Sequence, residues 1–147
     1  MLTRTFSALL VAASLIACSD PIGPPVPSGL FVLERVSGVS LPAVIHEDAF
    51  YRYITVADSM TVRSDGSGEQ SSVQRVERID GSAAPYTVSW RAPIGFRSAR
   101  DGLVYVRGCP INANCAPFAP IAVTRTADGL AFTVGDERRE YRAAMMP

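Results

Sequence analysis

The side chains with the clearest catalytic chemistry in this sequence stand together at positions 46–48. His46 is the only histidine, and Glu47 and Asp48 follow it directly. The zinc-protease helix motif needs a second histidine four residues after the first, but that position holds Phe50. A serine triad would use His46 as its base, but the sequence has no Gly-x-Ser-x-Gly turn. We therefore predict a solvated loop here, and a protein that is not an enzyme.

Two cysteines, Cys109 and Cys115, enclose a short loop that contains proline and asparagine. Redox pairs usually have two residues between their cysteines, next to a helix, and zinc would need more Cys or His ligands nearby. A disulfide across so short a loop would stabilise the fold by about 2 kcal/mol. We predict this disulfide, with no metal site and no cofactor. The proline-bounded loop that it fixes runs on to Pro120 and carries Phe118.

The segment Asp65-Gly66-Ser67-Gly68-Glu69 is the other candidate for ion binding. A calcium loop presents Asp or Asn ligands at alternating positions, and this segment does not. We interpret it as a turn.

The charged residues exclude several classes of function. All 14 basic residues are arginine, so the chain has no lysine for a Walker-type phosphate site or for Schiff-base chemistry. They balance 14 acidic residues, and the net charge of zero argues against a nucleic-acid partner.

Aromatic residues occur in nearly every apolar segment after residue 29, and they first predict a core. A closed barrel of about eight strands is either filled by its side chains or holds one small ligand. If it is hollow, four aromatic residues are candidates to line the pocket. These are Tyr86, Trp90, Tyr105 and Phe132. The sequence leaves a packed and a hollow interior both open.

These residues must be positioned by β-strands, because apolar β-forming segments of five to eight residues alternate with Gly, Asp, Ser or Pro. The predicted strands are Leu30–Val36, Phe50–Ala57, Met60–Arg63, Ser71–Ile79, Tyr86–Ala92, Ile94–Ser98, Leu103–Arg107, Ile121–Thr126, Leu130–Val134 and Arg138–Arg142. The three-residue spacing of Val73, Val76 and Ile79 leaves a short helix open within residues 69–79.

Asp-Gly pairs follow several of these strands and supply the positive φ of tight hairpins. We predict an all-β fold, in which an antiparallel up-and-down meander of about eight to ten strands closes into a small barrel and hides its edges. A two-sheet β-sandwich is the alternative. The segment from Gly29 to Pro42, with Gly38 before Leu41-Pro42, resembles the entry strand of lipocalin-like bacterial lipoproteins, a largely uncharacterised family. The resemblance implies a barrel over residues 29–147 but no catalytic residues.

The first 17 residues have the pattern of a secretory signal peptide, with Arg4 before an apolar stretch too short to span a membrane. The stretch ends in Leu15-Ile16-Ala17-Cys18, which resembles the lipobox of bacterial lipoproteins. That resemblance implies cleavage before Cys18 and acylation of its thiol, which would anchor the chain stably. Export would place the other two cysteines in an oxidising compartment. Ser19 favours the outer over the inner membrane.

Residues 18–28 are predicted to form a tether. The segment Pro21–Ser28 contains four prolines and favours an extended spacer of about 25 Å. We expect a lipid-anchored envelope protein that carries or senses a small apolar ligand. A structural or protein-interaction module of the envelope is the alternative.

Overall fold

The computed structural model describes residues 23–109, 114–116 and 118–144. These residues form β-strands and no helix, which confirms the predicted all-β class. The strands are β1 Gly29–Val36, β2 Val39–Ser40, β3 Ala43–Glu47, β4 Tyr51–Val62, β5 Ser67–Arg78, β6 Tyr86–Ala99, β7 Gly102–Arg107, β8 Ile121–Arg125, β9 Gly129–Val134 and β10 Glu137–Ala144.

Eight of the strands close into an antiparallel barrel. Their order is β1-β10-β9-β8-β7-β6-β5-β4, and the first half of β1 pairs with the second half of β4 to complete the ring. The short strands β2 and β3 extend the sheet beside β1 and β4. The predicted meander barrel is therefore confirmed, and the two-sheet sandwich is not adopted.

The Asp-Gly pairs form turns at the predicted places. At the β4–β5 turn the carboxylate of Asp65 accepts a hydrogen bond from the N–H of Ser67 at 2.8 Å. Gly66 has a φ of +83°, and a Cβ atom there would collide with the carbonyl oxygen of Phe96. Glycine thus allows both the turn and the close approach of β6.

Two strands, β4 and β6, each join two predicted segments. In β4 the connecting residue Asp58 faces the barrel interior, where hydrogen bonds compensate its burial. In β6 the connecting residue Pro93 keeps an extended backbone that proline allows, and its carbonyl oxygen accepts a hydrogen bond from the N–H of Gly108.

The segment that could have formed a short helix is the middle of β5. Gln70, Ser72 and Val76 face the interior and are buried, whereas Ile79 follows the strand and is exposed. The three-residue spacing of valine and isoleucine therefore did not mark one face of a helix.

The predicted loop at residues 46–48 is wrong in part, because His46 and Glu47 belong to β3. This strand pairs with the first half of β4 and forms an edge of the sheet. It is short, and Ala43 is its one fully buried side chain, with Ile45 partly buried against the core, so the sequence offers little alternation to identify it. His46 and Glu47 remain exposed, as a loop would have left them.

Most of the core lies in the half of the barrel where β1 begins, which we call the lower half, and Val36 and Ala43 extend it toward the other end. In the lower half it consists of inward-facing side chains from every barrel strand except β5. They include Phe31, Leu33, Met60, Val62, Ile94, Phe96, Leu103, Tyr105, Leu130, Phe132 and Tyr141, with Val123 of β8 packed against them.

Residues 23–28 lie against this lower end instead of standing free of it. The hydroxyl of Ser98 donates to the carbonyl oxygen of Pro24, and the guanidinium of Arg125 donates to that of Pro25. Val26 packs against the core. The described part of the predicted spacer is therefore docked on the barrel, while residues 1–22, including the predicted signal peptide and Cys18, lie outside the described residues.

Candidate functional site at the barrel mouth

The opposite end of the barrel, which we call the mouth, is where the β5–β6, β7–β8 and β9–β10 connections lie. The β-pairing identifies which side chains face inward there, because residues paired across neighbouring strands share a face of the sheet. Trp90 pairs with Ser72, and Arg107 pairs with Ile94, and both partners are buried in the interior.

Two of the four predicted pocket residues lie in the packed lower half. Tyr105 and Phe132 are buried, and their rings stack with centroids 4.7 Å apart. Phe132 also stacks on Tyr141 at 5.3 Å, and Phe96 contacts Tyr105 at 5.5 Å. These rings fill the lower interior and are contact partners of one another.

The other two predicted residues, Tyr86 and Trp90, lie on the inner face of β6 at the mouth. Tyr86 is 55% exposed, and Val88 between them in this row is 40% exposed. Trp90 is half-buried. Inward-facing aromatic and aliphatic side chains that keep this much exposure are what an open cup at the end of a barrel requires.

A hydrogen-bonded layer separates the two halves of the interior. We call it the polar layer; it consists of Asp58, Gln70, Tyr105 and Tyr141. Gln70 Nε2 donates to both carboxylate oxygens of Asp58 at 3.0 and 2.9 Å, and the Tyr141 hydroxyl donates to Oδ1 at 3.0 Å. The Tyr105 hydroxyl donates to Gln70 Oε1 at 2.7 Å. All four side chains are buried.

Burial shifts the protonation of this layer. Desolvation raises the pKa of Asp58 above its ordinary value of 3.8, against the opposing effect of the hydrogen bonds from Gln70 and Tyr141. Desolvation also raises the pKa of Tyr105 to about 12. It raises the pKa of Tyr141 further above its ordinary range, and the nearby carboxylate of Asp58 adds to the effect. The tyrosine hydroxyls of the layer therefore stay protonated as hydrogen-bond donors.

Arg139 lies next to the polar layer on the mouth side. Its guanidinium is 2.9 Å from the carboxylate of Glu137 and 3.9 Å from that of Asp58. Two carboxylates therefore balance this arginine within the barrel.

Arg107 is the second arginine inside the mouth, and its contacts are aromatic. Its guanidinium carbon lies 4.2 Å from the ring centroid of Trp90 and 5.2 Å from that of Phe118. Within the described residues its Nε is buried without a hydrogen-bond partner, as are those of Arg75 and Arg139, but Arg107 is the one of the three that takes part in no ion pair there. Cation–π contacts of this kind contribute about 0.5–2 kcal/mol.

The predicted disulfide is present, and it fixes the loop that brings Phe118 to the mouth. Cys109 and Cys115 are bonded, with their Cα atoms 5.9 Å apart. The bridge begins two residues after Arg107 and closes before Phe118, which is 41% exposed. Residues 110–113 and 117 of this proline-bounded loop lie outside the described residues.

Five of the nine exposed large apolar side chains of the described residues lie around the mouth. They are Phe50, Ile79, Tyr86, Val88 and Phe118, and we call them the apolar rim. Phe50 and Ile79 are joined through their backbones, since the N–H of Ile79 donates to the carbonyl oxygen of Phe50 at 3.0 Å.

The candidate catalytic residues His46, Glu47 and Asp48 lie in β3 and at its end, and His46 shares the inward face of its pairing partner Tyr53. His46 lies in the edge strand β3, where its ring contacts that of Tyr53 at 5.5 Å. Glu47 forms an ion pair with Arg52, and Asp48 accepts hydrogen bonds from the backbone of the β3–β4 turn. No group of three or more His, Cys, Asp or Glu side chains suited to a metal ion occurs in the described ranges.

A concavity lies at the lower end of the barrel, away from the predicted pocket residues. It is an open cleft of about 1100 Å³ between the docked segment 25–28 and the β8–β9 turn. It contains none of the four predicted pocket residues.

Comparison with known proteins finds no matching family model, curated protein or solved structure. Within the part of the chain that the structure describes, there is no helix of the length and apolarity needed to cross a membrane.

Four residues that shape the mouth were not singled out by the sequence analysis: Asp58, Gln70, Arg107 and Arg139. Asp58 carried a weak signal, since it interrupts two apolar segments that fold as one strand. Arg107 is one of 14 arginines, and nothing in its neighbourhood sets it apart before the pairing of β6 and β7 is known.

Proposed function

We propose that this protein binds a small molecule in the mouth of its barrel. The observation that carries this proposal is that side chains at the mouth point into the barrel and yet are not buried. Tyr86 and Val88 face inward yet remain exposed, and the buried Nε of Arg107 has no partner among the described residues. Buried polar groups are normally hydrogen-bonded, so a ligand would complete this site.

The part of the barrel suited to a ligand is the mouth and not the lower half. The predicted apolar pocket included Tyr105 and Phe132, but their stacked rings leave the binding role to Trp90, Tyr86 and the groups around Arg107. A binding role is favoured over catalysis because Asp58, the buried carboxylate of the polar layer below the mouth, is already occupied by Gln70 and Tyr141.

We further propose that the protein is an exported lipoprotein, anchored to the outer membrane of the bacterial envelope through an acylated Cys18. The support is the Leu15-Ile16-Ala17-Cys18 segment after an apolar stretch. The Cys109–Cys115 disulfide agrees with an oxidising compartment.

The anchor is tested by Cys18→Ser in the full chain expressed in bacteria. The unchanged chain should fractionate with membranes and incorporate labelled palmitate, and the variant should incorporate none. Cys109→Ser with Cys115→Ser is the matched control and should keep the label, because these thiols are not the acylation site. Palmitate labelling that survives Cys18→Ser would refute the lipoprotein proposal.

Ligand binding is tested by native mass spectrometry of the full chain purified from membranes. We expect a bound small molecule that is lost in Val88→Arg, because this substitution places a bulky charge in the mouth. Val44→Arg is the matched control, since Val44 is similarly exposed at 53% but lies in the edge strand β3. Absence of any bound molecule from the unchanged chain, or its equal retention in both variants, would count against the proposal.

The apolar rim favours a second candidate, a protein partner in the envelope. Exposed apolar patches commonly mark such interfaces. Phe50→Ser with Ile79→Ser alters the rim outside the cup, so it should abolish a cross-linked protein partner while leaving a bound small molecule in place. Retention of the partner by this variant would count against the rim as its docking surface.

A further inference from the structure

The feature of the mouth that says most about the chemistry of a ligand is the positive charge of Arg107. Its guanidinium is held inside the mouth between β7 and the loop of Phe118, and it is close to two aromatic rings. Placing a cation in a partly buried site without a counter-ion costs free energy. The contacts with Trp90 and Phe118 offset only part of that cost.

The other inward-facing arginines of the mouth are already balanced. Arg139 lies beside Glu137 and Asp58, and Arg78 lies 2.8 Å from Asp80. Arg107 is thus the arginine of the mouth whose charge is unmatched within the described ranges. The residues at 110–113 and 117 include no acidic side chain in the sequence, so this loop brings no counter-ion of its own.

The way in which Arg107 is held indicates what could pair with it. A guanidinium that lies over ring faces can still donate hydrogen bonds through its N–H groups. Those N–H groups form a fork whose geometry matches a carboxylate. The one unmatched positive charge of Arg107 would be balanced by a ligand with one negative charge. The neighbouring Trp90, Phe118 and Val88 offer apolar contact to the rest of such a ligand.

We propose that the mouth binds a small monoanionic carboxylate with an apolar body, its carboxylate paired with Arg107 and its body against Trp90, Phe118 and Val88. This assignment rests on the proposed binding function and names its ligand class.

The test uses the fluorescence of Trp90, which is the only tryptophan of the chain and therefore reports on the mouth alone. The full chain is reconstituted in phosphatidylcholine vesicles and titrated with octanoate. Octan-1-ol, octylammonium and acetate serve as probes that lack the charge, reverse it or lack the apolar body. We expect a saturable change with octanoate and at least about tenfold weaker binding of the other three probes, which corresponds to about 1.4 kcal/mol.

Two variants separate the role of Arg107 from a general effect of charge. Arg107→Gln should bind octanoate no better than octan-1-ol. Arg97→Gln removes the same charge from the outer face of β6 and should bind octanoate like the unchanged chain. The urea midpoint of each variant, followed by circular dichroism, shows that the loss is not unfolding.

Each outcome separates the ligand class from the proposed function. Equal affinity for octanoate and octan-1-ol, or unchanged binding by Arg107→Gln, overturns the carboxylate assignment but leaves an apolar site at the mouth. If the chain carries a co-purified molecule but does not respond to octanoate, the carboxylate assignment is overturned and the binding function is not. No response to any probe, together with no co-purified molecule, overturns the binding function as well.

Discussion

Below the polar layer the inward side chains of the barrel are apolar and buried, whereas those above it include charged, aromatic and aliphatic residues that are partly exposed, such as Arg107, Trp90 and Val88. The same strands build both halves. In β7, for example, Leu103 and Tyr105 are in the core, and Arg107, two residues further on, is at the mouth. Under the proposed binding function, stability and recognition are divided between the two halves of each strand, so a substitution in one half can be compared with a substitution in the other.

The largest effect should come from deleting side-chain volume in the lower half. Met60→Ala should lower the free energy of unfolding by about 2–5 kcal/mol, because Met60 is 0% exposed and its removal leaves a cavity. Val88→Ala, on the same inner face but at the mouth, should cost less than about 1 kcal/mol. Urea unfolding at constant m-value measures both. Similar losses from the two substitutions would mean that the mouth is as tightly packed as the core.

The second effect concerns the disulfide between Cys109 and Cys115, which holds the loop at the mouth. Replacing both Cys109 and Cys115 by serine should lower the free energy of unfolding by about 2 kcal/mol, because the bridge closes a short loop. Reduction of the unchanged chain should reproduce the loss in urea unfolding and should leave the double variant unaffected. A stability that does not respond to reduction would show that packing alone holds this loop.

The third effect tests the polar layer. Tyr105→Phe removes the hydroxyl that donates to Gln70 Oε1 and leaves a buried acceptor without that partner, at a cost of about 1–3 kcal/mol. Tyr53→Phe is the control, since Tyr53 is at the mouth end and is only half-buried. It should change the urea midpoint much less. Equal shifts would show that the layer contributes no more than a solvated hydroxyl.

The smallest effect should be a pH dependence that originates at Asp58. Because burial raises its pKa in the folded state, Asp58 favours folding most below its ordinary pKa of 3.8, and this contribution is lost as the pH rises through the folded-state pKa. Asp58→Asn should therefore flatten this fall in stability between acidic and neutral pH. Asp136→Asn, in the exposed β9–β10 turn, should leave the profile unchanged. The measurement is the free energy of unfolding as a function of pH. A profile that Asp58→Asn leaves unaltered would contradict the raised pKa of Asp58.

The fold was predictable from the sequence because its signals are local. Alternation along β9 and the Asp-Gly pairs predict strands and turns without knowledge of their neighbours. The predicted boundaries failed where a residue has an unusual environment, such as Asp58 in the interior or Pro93 within β6. The short strand β3 was missed because most of its length is exposed.

The site was predictable only in part, because its contacts cross the barrel. Tyr141 and Asp58 are 83 positions apart in the sequence, and they meet only when the strands are paired with one particular stagger. Trp90 and Phe118 could be singled out as aromatic residues, but the cation that joins them could not. The order of burial along β6 and β7 also depends on the closed ring, so the sequence did not separate Tyr105 from Trp90.

The docked segment at the lower end has a consequence for orientation. If Cys18 carries the lipid, only about five residues separate it from Gly23, and they reach at most about 18 Å when fully extended. A 12-residue strand such as β4 is about 40 Å long before its tilt is considered. The short connection would keep the lower end next to the bilayer and turn the mouth away from it. A ligand would then arrive from the aqueous side of the membrane, or from a protein that faces it, and not by lateral diffusion out of the lipid that holds the anchor.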